Sequence, residues 1–245
     1  MRKKDWMLFA ALCAAAAGLR AVQMKTGFDE EGLGIRGAPA GWLLLAVLLF
    51  AAVWLVLAGR RLPSRGEQET VQKGGFRFQG PATACAVAGS FALILGSLLS
   101  ALGAGGSLLL MLLAAFGAVS GVCLLYAVFS LYRNGMVQGI ALLAPVCYLA
   151  VYLIFLYRED ASDPVLARIC IEILAVAALT FSAMERSAFA YSNGSPRVYL
   201  PAGAIAVILS LCAAAEFQGL SSMLMFIGLA LVEIGFLAAA SFERE

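Results

Sequence analysis

Histidine is absent from the 245 residues. Its absence removes the commonest metal ligand and the side chain that moves protons at neutral pH, which argues against zinc hydrolases, haem proteins and His-based acid–base enzymes. Charge is scarce too: Asp, Glu, Lys and Arg make up 13% of the chain, and the formal net charge is only +2. The basic residues stand in short, dispersed clusters, so there is no positive stripe for a nucleic acid to follow. Six cysteines, Cys13, Cys85, Cys123, Cys147, Cys170 and Cys212, all fall within apolar runs and form no CxxC pair. They read as small core hydrophobes rather than as a disulfide or metal framework. No Gly-rich nucleotide loop, no Ser or Cys nucleophile with a base and no intramembrane Asp pair emerges. The chain is therefore not read as an enzyme, and no metal or cofactor is assigned.

Apolar sequence is what the chain has in excess. Hydrophobic residues make up 62% of it and the mean hydropathy is +0.93, far outside soluble globular composition. Apolar runs extend from Trp6 to Gly18 and on through Arg20, then from about Trp42 to Ala58, Ala82 to Ala101 and Ser107 to Tyr132. Four more run from about Gly139 to Tyr157, Asp163 to Met184, Tyr199 to Ala215 and Leu220 to Ser241. Most approach the roughly 20 residues that a bilayer requires. The expected fold is an all-α polytopic transmembrane helical bundle of about eight spans, one domain over residues 1–245, with the lipid bilayer as its first partner. The alanine-rich first run also resembles a signal peptide, but it reads better as a retained helix, with Arg20 snorkelling toward the outer interface.

The distribution of Lys and Arg sets the orientation. Arg2, Lys3 and Lys4 precede the first helix, and the segment from Arg60 to Pro81 carries Arg60, Arg61, Arg65, Lys73 and Arg77 against Glu67 and Glu69. By the positive-inside rule both lie in the cytoplasm, which puts both termini inside. The outer loops are acidic, with Asp29, Glu30 and Glu31 in the first and Glu159, Asp160 and Asp163 in the third. These carboxylates read as a solvated surface.

The sixth run organises the rest. Asp163 before Pro164 reads as an N-cap followed by proline at the first helical position. The helix it opens contains Arg168 and Glu172, one turn apart on one face. Glu233 lies past the middle of the eighth run and Glu216 at the outer end of the seventh, while Tyr148 and Tyr152 share a face of the fifth beside Pro145. A charge inside a span costs at least about 2.5–3.5 kcal/mol, so these groups need partners or a purpose. Arg168, Glu172, Glu233, Glu216 and Tyr148 are therefore the candidate binding residues for a small solute or cation, set between helices six and eight. The competing reading is a structural ion pair with a hydrogen-bonded Glu233.

Small residues recur every four positions at Ala84, Ala88, Ala92, Gly96 and Ser100, and again at Ala202, Ala206, Ser210 and Ala214. Such faces admit close helix approach. A shift of 114 residues superposes most of the two sets, which raises a parallel 4 + 4 duplication with halves 1–133 and 134–245. The other explanation is chance alignment of low-complexity helices.

The run Tyr157-Arg158-Glu159-Asp160-Ala161-Ser162-Asp163-Pro164, followed by a long apolar helix and Ser195-Pro196-Arg197, resembles uncharacterised bacterial multi-pass membrane proteins. The resemblance implies a bacterial cytoplasmic membrane and carries over no functional residues. Two functional readings stand: a small-solute or ion carrier, and a non-transporting scaffold or regulatory subunit that binds a membrane protein partner. A carrier needs its ionisable groups in reach of water, whereas a scaffold needs them sealed and paired.

Overall fold

The computed structural model describes residues 3–28, 39–60, 76, 78, 80–129, 135–160, 166–191, 194–216 and 219–241. These hold eight helices: α1 (Lys3–Thr26), α2 (Pro39–Arg60), α3 (Pro81–Leu102), α4 (Leu108–Phe129), α5 (Gly135–Asp160), α6 (Leu166–Ala190), α7 (Pro196–Ala214) and α8 (Leu220–Ser241). Helix is the structure that satisfies every backbone polar group within one apolar segment, and so it is what these runs adopt in lipid. Proline opens α2, α3 and α7, where its fixed φ suits the first turn and its missing N–H costs nothing. Gly105 and Gly106 take positive φ angles of 56° and 88°, and with Gly103 they turn the chain from α3 into α4. Inside α5, Pro145 is accommodated without ending the helix. The proposed cap at Asp163 and Pro164, the acidic first loop and most of the basic segment lie outside the described residues.

Seven of the eight helices are long and apolar enough to cross a membrane. The other, α6, has 25 residues and carries Glu172, Glu185 and Arg186 along its described side chains. It packs between α5 and α7, two of the seven, and buries Glu172 and Arg186 within the bundle, while Glu185 is half-buried. Large apolar side chains face outward on α2, α3 and α4, among them Trp42, Phe50, Phe91, Leu95 and Val119. So much exposed apolar surface is a liability in water and is what lipid accommodates.

Helices α3 to α8 close a ring in which each packs on the next and α8 returns to α3, while α1 and α2 lean together on α7. Side chains reach across the ring: the Tyr148 hydroxyl on α5 donates to the Met225 sulfur on α8 at 3.0 Å. Successive helices alternate in direction. Arg20 near the end of α1 meets Glu216 just past the end of α7, and Gly59 near the end of α2 meets Arg197 and Pro201 at the start of α7.

The most extensive interface, between α3 and α8, is built on absent side chains. A Cβ added at Gly89 would lie 2.5 Å from the Gly228 carbonyl oxygen, and one at Gly228 would lie 2.7 Å from the Gly89 oxygen. Gly96 and Gly235 are as tightly set, at 2.9 Å from the Ser221 oxygen and 2.8 Å from the Ala82 oxygen respectively. These four contacts run antiparallel down the two helices and let their backbones meet, the packing that lipid favours because burying apolar side chains gains little there.

The small-residue row expected on α3 is only partly used. Gly96 is buried, but Ala84, Ala88 and Ser100 are exposed, and the packed face is instead Ala82, Ala86, Gly89, Leu93 and Gly96. On α7 the corresponding residues Ala206, Ser210 and Ala214 are all buried. The helix neighbours of the two halves differ too, since α6 packs along α7 whereas α2 has no comparable interface with α3 among the described residues.

Replacing Gly89 by Leu drives side-chain atoms into the α8 backbone, which cannot swing away, at a cost on the order of 3 kcal/mol. Thermal unfolding in detergent should show a clear loss for Gly89→Leu. Gly18→Ala, at a position with nothing within 4 Å, should be tolerated.

Candidate functional site

Among the described residues three polar sites occupy the apolar interior, and the best developed joins α6, α7 and α8. Ser182 and Arg186 are one turn apart on α6 and so point the same way. Arg186 Nη1 donates to Glu233 Oε1 at 2.6 Å, and the Ser182 hydroxyl donates to Glu233 Oε2 at 3.0 Å. The Tyr199 hydroxyl of α7 reaches the same Oε2 at 3.5 Å. Gly203, one turn beyond Tyr199, leaves room for the group: a Cβ there would come within 3.2 Å of the Ser182 oxygen and 3.4 Å of Glu233 Oε2.

Arg186 and Glu233 are each 2% exposed. The guanidinium lies over the Phe236 ring, 4.5 Å from its centroid, one helical turn from Glu233. Phe76, from the segment before α3, packs edge-on against Phe236, Tyr199 and Phe189, and Phe78 packs against Phe236. Aromatic side chains thus close this end of the site. The Arg186 Nε finds no acceptor among the described residues, a local cost on the order of 1–3 kcal/mol. The carboxylate, by contrast, has both oxygens engaged. Chemically this is an ion pair between α6 and α8 whose carboxylate also accepts from Ser182 of α6 and Tyr199 of α7.

The second site lies where α1 meets the end of α7. Arg20 Nε donates to Glu216 Oε1 at 3.0 Å, its Nη2 binds the same oxygen, and its Nη1 donates to Gln23 at 2.8 Å. Phe28 stands 5.9 Å from the guanidinium. Arg20 is 1% exposed, so the expectation that it snorkels to the interface is corrected: Glu216 supplies the counter-charge inside the fold, and the side chain has no need to reach water.

The third site is smaller. Glu172 on α6 is buried and accepts from the Tyr152 hydroxyl of α5 at 3.1 Å. Tyr148, one turn earlier on α5, is buried against Phe116 and Met225.

Of the five residues singled out from sequence, the four with described side chains are dispersed. Glu233 joins the α6–α8 site, Glu216 the α1–α7 site, and Glu172 and Tyr148 the side of α5. By the helical rise, Glu172 and Glu233 differ in depth by about 10 Å from the face where α6 starts. Arg168 falls on the first turn of α6, and its side chain lies outside the described residues. Sequence reasoning missed Arg186, Ser182 and Tyr199 as the partners of Glu233. The available signal was that Ser182 and Arg186 repeat at four residues and that Arg186 still lies within reach of the apolar run.

The described residues define an integral multi-pass membrane protein built from helices, with its charges paired inside. A comparison with protein-family models, known proteins and solved structures finds no match, so the likeness along Tyr157–Pro164 gains no family from it.

Removing one partner of a buried pair leaves an orphan charge, at a cost of about 3–5 kcal/mol, whereas removing both can be nearly neutral. Arg186→Ala and Glu233→Ala should each lower the unfolding temperature in detergent. The double variant Arg186→Met, Glu233→Leu should recover most of that loss, a coupling read from the double-mutant cycle.

Proposed function

We propose that the chain is a non-transporting membrane subunit that binds other membrane proteins, with its buried ionic groups serving to hold helices together. The observation that supports this most strongly is the state of Glu233. It is buried, both its oxygens are occupied by side chains from α6 and α7, and aromatic rings cover the end of its site. A carrier must let such a group exchange partners with water and cargo during transport. Glu216 and Glu172 are likewise buried, each accepting a hydrogen bond from another helix.

The outer surface supports the same reading. Ala84 and Ala88 stand exposed on α3 beside Phe91 and Leu95, a small-residue face that a further helix can approach closely. The basic stretch from Arg60 to Arg77 gives a second element for contact at the membrane surface. On the charge bias, the face where α1 begins is placed in the cytoplasm, and the sequence resemblance supports a bacterial cytoplasmic membrane.

The purified protein in sealed vesicles should pass protons, Na⁺ and K⁺ no faster than protein-free vesicles under an imposed gradient. Glu172→Gln and Glu233→Gln should leave that flux at the protein-free level. A flux that either variant abolishes would sink this reading and favour an ion carrier between helices six and eight. In cells, a photo-crosslinking residue at Ala88 should give a discrete adduct with one other membrane protein, lost in an Ala84→Leu background.

A further inference from the structure

The lipid-facing surface carries a marker at each of its two edges. Among the described residues four Trp and Tyr side chains are exposed, Trp42, Tyr126, Tyr157 and Tyr191, and each lies within one turn of a helix end. Trp42 on α2 and Tyr157 on α5 stand at the face where α1 ends, and Tyr126 on α4 and Tyr191 after α6 at the face where α1 begins. Amphipathic rings of this kind settle at the headgroup level, with the body of the ring in the apolar layer and its polar tip in the wet one. We infer that the protein is fitted to a thin bilayer, with a hydrocarbon core of no more than about 27 Å and no sterol thickening.

Two helices give that figure independently. On α5 the Tyr191 ring covers Gly139, where a Cβ would lie 2.6 Å from it, and Tyr157 follows 18 residues later. At the rise of an α-helix the two rings stand about 27 Å apart. The exposed side chains between them are Ile140, Leu143, Cys147, Val151 and Ile154, and the next residue outward, Arg158, is charged and exposed. On α2, Trp42 and Arg60 are likewise 18 residues apart, and only apolar side chains are exposed between them. Tyr126 falls in line with these limits. The Ser120 hydroxyl reaches the Ala144 carbonyl oxygen at 3.3 Å, and a Cβ on Gly117 would lie 3.0 Å from the Tyr148 ring, a register that sets Tyr126 level with Gly139.

Helix length alone would suggest a thicker membrane. α2, α3, α4 and α8 have 22 residues each, which is about 33 Å of helix, and α5 has 26. The rings and charges decide against it. A sterol-rich bilayer with a core of about 32–33 Å would sink Trp42 and Tyr157 below the headgroups or draw Arg60 and Arg158 into hydrocarbon. Tilting the helices shortens their projection further, which makes 27 Å an upper bound. The inference holds whichever partner the chain binds.

The unaltered full-length chain, reconstituted into phosphatidylcholines of increasing monounsaturated chain length from dimyristoleoyl through dioleoyl to dierucoyl, tests it. The unfolding temperature should be highest in dioleoyl or a shorter lipid and should fall by roughly 5 °C or more in dierucoyl. Cholesterol, which thickens the dioleoyl bilayer, should lower it as well. In the variant Trp6→Phe, Trp54→Phe the remaining Trp42 reports its own depth. Its fluorescence in dioleoyl bilayers should be quenched more by bromine on carbons near the headgroup than by bromine at the chain ends. A stability maximum in a lipid longer than dioleoyl, a profile flat across the series, a gain on adding cholesterol, or stronger quenching of Trp42 from the bilayer centre would each overturn the assignment.

Discussion

Within a bilayer a charge is tolerated where its counter-charge arrives with it, and the fold turns on that constraint at Arg186 and Glu233. Their contact joins α6 to α8 across the ring, and Tyr199 ties α7 to the same carboxylate. Arg20 and Glu216 do the corresponding work at the other end of the molecule, fastening α1 and α2 to a ring they do not complete. Apolar contact alone would discriminate poorly here, because the lipid tails compete for the same surfaces. A buried pair has one acceptable geometry, so each pair fixes which helix lies beside which.

The helices themselves were legible because the apolar runs are long and their boundaries are marked by proline, glycine and charge. All eight were located, with α8 placed at its observed limits and α2 and α3 within a few residues. The ionic partners were not legible. Arg168 and Glu172 suggested a pair because they are one turn apart, and the Arg168 side chain lies outside the described residues; what spacing along one helix does not show is that Glu172 also meets Tyr152 twenty residues earlier and that Glu233 meets Arg186 forty-seven residues earlier. Sequence proximity ranks partners along one helix; between helices the long side chains decide, as Arg186 reaches Glu233 from α6 to α8 and Arg20 reaches Glu216 from α1 to the end of α7.

Packing shows a related distinction on α3. A row spaced by four drifts around the helix, whereas a seam to a neighbour alternates between four and three, as Ala82, Ala86, Gly89, Leu93 and Gly96 do. Small residues on α3 were therefore a correct sign of close packing but an incomplete guide to its direction. The glycines carry more information than the alanines. At Gly89 and Gly228 the facing backbones occupy the space a side chain would need, while Ala84 and Ala88 face outward.

Because the ring closes through α8, it can close only once that helix is made. Ribosomes add roughly 5–20 residues per second, so Arg186 is synthesised about 2–9 s before Glu233, and Arg20 about 10–40 s before Glu216. Throughout that interval the glycine face of α3 lies open as well. The arrival of α8 therefore supplies two things at once, the counter-charge for Arg186 and the backbone that fills the seam at Gly89.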